Sequence, residues 1–307
     1  MSPRKVRMVQ GSPQVFSHAD WSNIVTQGRL VPPCSYQGGK QRISRQVVDH
    51  IFADSSIDSD SRFFDVCCGS GAITVELLNR GVAPERIVMI DISSWGAVWE
   101  KIGKGEFDLD LFKSYLDLVP REKTLIHAFA TELATMPASV DEVYKYLVLQ
   151  ACSFGGKQIW RDGDKWRNAF FRRHWLPTAS SVRQSPANVM QPGPEGLYER
   201  VVRLVGAAAG VRAIQADVMA LLLEEYDARS AIYVDPPYLN TTTYGFGFDI
   251  TAFVDAVQAK GPATLFVSEA APVSSDAVRI HHSGPRGGIS GNRRVPHEEW
   301  LSSFRCA

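Results

Sequence analysis

The tetrapeptide Asp235-Pro236-Pro237-Tyr238 combines groups that together can handle a planar amine. A carboxylate and a prolyl carbonyl can each accept one N–H proton of an amino group on a flat base, and a tyrosine ring can stack on that base. The apolar run Ala231–Val234 comes directly before it and predicts a buried strand. Because two prolines cannot continue a strand ladder, Asp235 is expected at the strand's carboxyl end, where open α/β sheets bind ligands. The alternative is a rigid turn with a packing tyrosine.

A strand, a glycine turn, a helix and a second strand are predicted between residues 62 and 91. Gly69-Ser70-Gly71 follows the apolar run 63–67, and the acidic Asp91 ends the next strand. In such β-α-β units an acidic side chain at this place accepts ribose hydroxyls. Because Thr74 stands where a dinucleotide fingerprint has its third glycine, the pattern favours an adenosine-bearing cofactor over NAD. The alternative for Asp91 is a helix cap.

Two further aspartates are candidate ligands of the same cofactor. Asp217 follows a predicted strand, and it can cap the next helix, accept the exocyclic amine of a bound adenine, or do both. Asp65 lies inside the end of the first strand and is a candidate contact for an amino-acid moiety. The alternative for Asp65 is a buried carboxylate paired with a lysine or a backbone amide.

The order of these motifs resembles that of the Dam-type DNA adenine methyltransferases over about residues 33–303. That family has a G-G-K motif near its start, a glycine motif after the first strand, a recognition insert and a late D-P-P-Y motif. The tail around Glu298-Glu299 is similar to the family's acidic end. Tyr36-Gln37, Asp65-Val66-Cys67 and Ser268-Glu269 depart from the family pattern, which indicates a divergent member. The resemblance implies S-adenosylmethionine as cofactor, bound by Tyr36, Gly38, Gly39, Lys40, Asp65, Gly69, Gly71, Asp91 and Asp217, and Asp235, Pro236, Pro237 and Tyr238 as catalytic residues.

Residues 151–183 form the candidate nucleic-acid surface. This segment has seven basic residues against Asp162 and Asp164, interleaved with aromatic residues. Basic side chains follow phosphates, and aromatic rings stack on bases. We expect the tryptophans to form a core and the arginines to contact DNA. The stretch Ser153–Lys157 resembles a glycine-containing stretch of the family's insert, and this resemblance implies base contacts for Lys157 and Arg161. The alternative is a helical subdomain with a solvated charged face. The predicted DNA-binding residues are Lys157, Arg161, Arg167, Arg172 and Arg173.

The predicted fold is α/β, a doubly wound Rossmann-like methyltransferase sheet with an inserted, mostly helical target-recognition subdomain. An N-terminal arm covers residues 1–32, the catalytic domain 33–101 and 201–307, and the insert 102–200. Helices are predicted at 109–118, 140–150, 195–205 and 219–225, and strands at 211–215 and 263–267. Residues 278–281 and 288–290 are predicted to pair antiparallel at the sheet edge.

Composition limits the partners and the compartment. The 307 residues contain 33 basic and 33 acidic side chains, so a polyanion must be held by local positive charge. Five cysteines without a C-x-x-C pair predict free thiols in a reducing compartment. No apolar run predicts a signal peptide or a membrane span, so we expect a cytoplasmic protein without membrane contact. The scattered histidines predict no metal site, and a monomer is favoured.

The predicted function is site-specific methylation of the exocyclic amine of adenine in duplex DNA, with the target base flipped out of the helix. Four alternatives remain open: the amine of cytosine as target, RNA as substrate, a relative that binds DNA without turnover, and a phage-type enzyme that adds another group to a base.

Overall fold

A seven-stranded sheet forms the centre of the molecule in the computed structural model, which describes residues 28–120, 122, 125–171, 192–237, 247–283 and 297–305. A separate two-stranded hairpin lies in the predicted insert. The strands are β1 (Phe63–Val66), β2 (Ile87–Ile90), β3 (Trp160–Asp162), β4 (Lys165–Arg167), β5 (Arg212–Ile214), β6 (Ala231–Val234), β7 (Thr264–Glu269), β8 (Val278–Ser283) and β9 (His297–Arg305).

The central sheet is mostly parallel, with the strand order β5-β2-β1-β6-β7-β9-β8. β1 pairs in parallel with β2 on one side and with β6 on the other, so the chain reverses its winding direction at β1. Ligands of doubly wound sheets bind beside such a reversal, at the carboxyl ends of the strands. β9 runs antiparallel to both β7 and β8, which distinguishes this edge from an all-parallel dinucleotide-binding sheet.

Helices flank both faces of the sheet, as the sequence predicted. The alternating side chains of the parallel strands divide between two apolar clusters: Phe63 and Tyr233 belong to one, Phe64 and Val234 to the other. Burial on both faces explains the continuous apolar runs of these strands. The helices are α1 (Ser44–Phe52), α2 (Ala72–Asn79), α3 (Ser94–Gly103), α4 (Leu109–Asp117), α5 (Ile126–Thr135), α6 (Glu142–Cys152), α7 (Pro194–Ala207) and α8 (Ile250–Lys260).

The two faces of the central sheet are covered by different numbers of helices. The larger cluster takes its helical members from α1 to α7, whereas α8 is the helix of the smaller cluster. Helices α4 to α6 and the first half of α7 lie in the predicted insert 102–200, yet Phe112, Ile126 and Tyr146 share one continuous core with β1 and β2. The boundaries of the insert and of the arm therefore stay predictions.

Three local features differ from the sequence-based description or add to it. The helix predicted at 219–225 is a 3₁₀ helix of six residues, Val218–Leu223, and not an α-helix. Val278–Ser283 is an edge strand, but its antiparallel partner is His297–Arg305, which the sequence did not indicate as a strand; residues 288–290 lie outside the described residues. The hairpin of β3 and β4 was also not predicted. None of the helices in the described ranges is both long and apolar enough to cross a membrane.

Candidate active site

A pocket lies at the carboxyl edge of the parallel strands, where the winding reverses. It contains roughly 920 Å³ of space between protein atoms, part of which is open solvent. β1, β2, β5 and β6 end in register here, since Val66 is paired with both Ile90 and Val234. The predicted site residues that line the pocket are Tyr36, Gly38, Gly39, Lys40, Asp65, Gly69, Asp91, Asp217, Asp235, Pro236 and Pro237.

The glycine turn after β1 shapes the pocket floor. Gly69 has φ +49°, and a Cβ at this position would lie 2.9 Å from Cε1 of Tyr36, so the tyrosine ring covers the turn closely. Gly71 has φ +74° and is the N-cap residue of α2, and a Cβ there would lie 2.3 Å from Cζ2 of Trp99. Trp99 also donates from Nε1 to the carbonyl of Gly69 at 3.0 Å. Gly71 is thus placed behind the pocket wall, in contact with the core, rather than among the lining residues.

Asp91 ties the glycine turn to the start of α3. Its Oδ2 accepts the Gly69 N–H at 2.7 Å, and its Oδ1 accepts the N–H and the hydroxyl of Ser93 at 2.8 and 2.5 Å. The N-cap residue of α3 is Ser93, whose hydroxyl accepts the N–H of Trp95, so Asp91 is not itself the cap. Burial raises the pKa of the Asp91 carboxyl. Its position suits a ribose contact and also holds two turns in place.

Asp65 is a buried carboxylate at the pocket. Its Oδ2 accepts the N–H and the hydroxyl of Thr74, at 3.0 and 2.8 Å. Burial raises the pKa of Asp65 to about 7, and the nearby Asp235 and Asp91 add to the rise. Thr74 stands where a dinucleotide fingerprint has its third glycine. Its N–H and hydroxyl hold the Asp65 carboxylate in position, which explains a threonine at this place.

Asp217 caps the turn that follows β5, because its Oδ1 accepts the N–H of Met219 at 2.9 Å. It also lines the pocket, so the two roles predicted for it are geometrically compatible. Gly38, with φ +80°, lies in another segment of the pocket lining, and its carbonyl accepts from the amine of Lys40.

Lys40 lies against the candidate catalytic carboxylate. Its ammonium Nζ is 2.5 Å from Oδ1 of Asp235, 3.1 Å from the Gly38 carbonyl and 3.5 Å from Oε1 of Glu299. Lys40 is 5% exposed and the Asp235 side chain 18% exposed, so little solvent screens the pair. The sequence placed Lys40 among the cofactor contacts, and the structure places its amine on Asp235.

Asp235 leaves the sheet as predicted. Its N–H donates to the Val66 carbonyl at 3.1 Å, and the two prolines that follow have no N–H with which to extend the ladder. Burial raises the pKa of Asp235 to about 7; Lys40 opposes this rise, and Glu299 and Glu269 add to it. A carboxyl that titrates near neutrality in a pocket is typical of an acid–base group.

Two functional candidates were missed by sequence reasoning. Glu299 lies on β9, and its pairing with Lys40 arises only when β9 inserts beside β7. The acidic tail was noted in the sequence, but its register was not predictable. Gln158 lines the pocket from the predicted insert, and no motif marks it.

The predicted DNA contacts fall into three groups. Arg161 has Nε 2.8 Å from Oε2 of Glu142 and lies over the Trp166 ring at 5.1 Å, so its 14% exposed side chain is packed against α6 and β4. This placement does not suit a base contact. Arg167 is exposed and pairs with Asp162 at 2.8 Å. Lys157 is partly exposed, whereas Arg172, Arg173 and the catalytic candidate Tyr238 lie outside the described residues.

Trp166 is buried and stacks on Tyr146 at 5.9 Å, in agreement with the expected aromatic core.

Among the residues that the structure describes, no group of three or more histidine, cysteine or carboxylate side chains is arranged to hold a metal ion. Cys34, Cys67, Cys68 and Cys152 are not joined by disulfide bonds in the described part of the chain.

No model of a known protein family matches this sequence, and no curated protein matches it significantly.

Proposed function

We propose that this chain is an S-adenosylmethionine-dependent methyltransferase acting on the exocyclic amine of adenine in duplex DNA. The observation that carries the proposal is the convergence of Asp235 and Pro236 with the Gly69 turn and Asp91 in one pocket at the reversal of the sheet. A site for an adenosine-bearing cofactor and a site for an amine are then neighbours, as group transfer requires.

The residues present fit this cofactor. S-adenosylmethionine, when bound, supplies an electrophilic methyl group on a positively charged sulfonium. The pocket offers four aspartates, Asp65, Asp91, Asp217 and Asp235, against the single lysine Lys40 among its described lining residues, and excess negative charge favours a cationic ligand. Asp91 would hold the ribose hydroxyls, Asp217 the adenine amine and Asp65 the amino-acid end.

Asp235 and the Pro236 carbonyl would each accept one proton of the target amine. The lone pair of such an amine is delocalised into the ring, and two acceptors favour a pyramidal nitrogen on which the lone pair is available. Lys40 stabilises the ionised form of Asp235 that can accept the N–H. Once the nitrogen has formed its new bond to carbon it has a surplus proton. Asp235, with its pKa of about 7, is suited to take this proton and pass it to solvent.

The finer parts of the proposal concern the substrate. Residues 102–200 would act as the inserted target-recognition subdomain, and Tyr238 would stack on the flipped base, offsetting part of the cost of unstacking it, a few kcal/mol. Asp235 and the Pro236 carbonyl accept the protons of a cytosine amine equally well, so adenine as the target rests on the motif resemblance.

Mass spectrometry of nucleosides tests the proposal. DNA from a methylation-deficient host is incubated with the protein and with S-adenosylmethionine labelled in its methyl group, then digested to nucleosides. We expect label in N6-methyl-2′-deoxyadenosine. Label in N4-methyl-2′-deoxycytidine would contradict the choice of adenine, and label in no nucleoside of DNA would contradict DNA methylation. A parallel reaction with RNA separates the two nucleic acids.

A further inference from the structure

One wall of the pocket belongs to a segment whose charged residues are all basic. Residues 29–48 include no acidic side chain and four basic ones, Arg29, Lys40, Arg42 and Arg45. Lys40 is buried at the pocket, whereas Arg42 and Arg45 are exposed. Arg42 ends the 3₁₀ helix Lys40–Arg42, and Arg45 lies in the first turn of α1. The positive charge of this segment therefore continues from the pocket onto the surface.

The two exposed arginines have no protein partner in the described part of the chain. Neither Arg42 nor Arg45 forms an ion pair or a side-chain hydrogen bond there. Arg167 is also exposed, but it is paired with Asp162 at 2.8 Å. An unpaired guanidinium has all of its N–H donors available, so an anion that binds it displaces only water and no carboxylate.

Arg45 also lies close to two other arginines. Burial lowers the pKa of Arg29, and the positive charges of Arg45 and Arg80 lower it further. Arg29 and Arg80 share the buried carboxylate of Glu76, and Arg80 also contacts Asp49. Three arginines thus lie near two carboxylates, and the one without an acidic partner is Arg45. This group keeps an excess of positive charge that attracts anions.

Arg42 lies near the mouth of the pocket, and Arg45 lies further from it. Arg42 follows Lys40 by two residues in a 3₁₀ helix, so its backbone is displaced from that of Lys40 by roughly 4 Å along the helix axis. Arg80, a neighbour of Arg45, is the C-cap residue of α2, whose N-cap residue Gly71 lies in the glycine turn. The exposed positive charge therefore extends from the pocket along α1 and α2.

A nucleic acid at this pocket requires positive charge outside it. The described lining residues include four aspartates against the single lysine Lys40, and this excess repels phosphates although it attracts a sulfonium. A base that is flipped into the pocket brings the phosphates on both sides of its sugar to the mouth. Arg42 is the first exposed cation after Lys40 in the chain, so it is placed where such a phosphate has to pass.

We propose that Arg42 and Arg45 bind backbone phosphates of the DNA strand that carries the target base; this inference rests on the proposed function. Arg42 holds a phosphate next to the flipped nucleotide, and Arg45 holds one further along the same strand. A guanidinium can donate two parallel hydrogen bonds to a phosphate, which fixes the position of the backbone as well as attracting it. Contacts of this kind orient the strand without reading its sequence.

The first experiment measures how binding depends on salt. Protein saturated with S-adenosylhomocysteine, the product form of the cofactor, is titrated against a labelled duplex with one unpaired adenine, because an unpaired base is cheaper to flip. The double variant Arg42→Gln, Arg45→Gln should flatten the slope of log affinity against log salt by about 2, since each phosphate contact contributes about 0.9. The matched control Lys101→Gln, Lys104→Gln removes the same charge at the end of α3, outside the pocket lining, and should keep the wild-type slope.

The second experiment locates the contact on the DNA. The two phosphates that flank the unpaired adenine are replaced by uncharged methylphosphonates. Wild type should lose about tenfold or more in affinity, the scale of a hydrogen bond to a charged group. The double variant should lose much less, because it lacks the arginine that meets one of these phosphates. An equal loss in both proteins would overturn the inference.

Three further results separate the inference from the proposed function. The double variant should unfold at the wild-type temperature and bind S-adenosylhomocysteine as wild type does, because neither arginine has a partner in the described residues. A marked fall in either property, or an unchanged salt slope, would overturn the inference and leave the proposed function standing. If wild type binds no duplex DNA, or binds the matching RNA duplex more tightly, the proposed DNA substrate fails and the inference falls with it.

Discussion

The amine of Lys40 is shared between two carboxylates, and this sharing determines the charge of the site. It lies 2.5 Å from Asp235 and 3.5 Å from Glu299. Lys40 lowers the pKa of Asp235 and Glu299 raises it, while burial is the largest cause of its rise to about 7. Asp235 is therefore protonated below neutral pH and ionised above it. Burial together with the two charged neighbours determines the pH above which Asp235 can accept a proton of the amine.

Turnover should rise with pH through about 7, because only ionised Asp235 accepts the N–H of the amine. Lys40→Met removes a positive charge and should move this rise to higher pH. Glu299→Gln removes a negative charge and should move it to lower pH. Initial rates of methyl transfer across a pH series measure both shifts, with exposed Lys104→Met as control. Shifts of the same sign in the two variants would contradict the assignment.

Asp91→Ala should weaken the binding of S-adenosylmethionine by roughly 1–3 kcal/mol, the cost of one lost hydrogen-bonding partner. It should also lower stability, because Asp91 holds the amides of Gly69 and Ser93. Calorimetry and urea unfolding measure the two effects. Asp108→Ala is the matched control, since Asp108 caps α4 away from the pocket and should lose stability alone. Unchanged cofactor affinity in Asp91→Ala would show that the pocket is misplaced.

At the scale of elements, the turn between β1 and α2 positions the pocket through its contact with α3. The Trp99 ring packs against Gly71, and its Nε1–H donates to the Gly69 carbonyl. The turn is thus fixed from behind by the core and from the front by Tyr36, so its backbone amides are held in place before any ligand binds.

Gly71→Ala and Gly81→Ala separate crowding from backbone strain. Both glycines have positive φ, +74° and +83°, so alanine costs roughly 1–2 kcal/mol at either position. A Cβ on Gly81 meets nothing within 4 Å, whereas one on Gly71 would lie 2.3 Å from Trp99. Gly71→Ala should therefore lose roughly 1–3 kcal/mol more. Urea unfolding measures both, and equal losses would contradict this account of the turn.

The sequence was most informative for the parallel strands and least for the sheet edge. β1, β2 and β6 are buried on both faces, so each is a continuous apolar run bounded by turn residues. β9 buries Glu299 and Ser302 beside Leu301, and these polar residues conceal its periodicity. Lys40 and Asp235 are 195 residues apart, so their contact depends on tertiary structure that no local pattern encodes. The place of Gln158 in the pocket lining is likewise visible only in the folded chain.

At the scale of the whole molecule, acidic and basic residues are equal in number, but they are not evenly distributed over the structure. The pocket collects aspartates, while Arg161 and Arg167 in the insert are paired with Glu142 and Asp162. Exposed ion pairs such as that of Arg167 are weak, so phosphates can compete for the arginine. The other basic residues of the segment 151–183 are Lys157, Lys165, Arg172, Arg173 and Arg183, and among these only Arg172 and Arg173 are adjacent in sequence.

Reversing the charge of Arg172 and Arg173 to glutamate should weaken DNA binding and flatten its dependence on salt, because fewer counterions are released. S-adenosylmethionine binding should stay unchanged. The matched control reverses Lys101 and Lys104 in the last turn of α3 and just beyond it, outside the pocket lining. Anisotropy titrations at several salt concentrations give the slopes. An unchanged slope in the Arg172 and Arg173 variant would mean that the DNA lies elsewhere.

Single-turnover methyl transfer tests the central claim most directly. Wild type and Asp235→Ala are loaded with equal amounts of S-adenosylmethionine labelled in its methyl group, mixed with excess DNA, and followed by label in the DNA. We predict that Asp235→Ala binds the cofactor within a few-fold of wild type and transfers the methyl group about 100-fold more slowly or worse, since it lacks the charged acceptor. Transfer by Asp235→Ala at more than about a tenth of the wild-type rate would contradict the role of Asp235 and with it the account of this site.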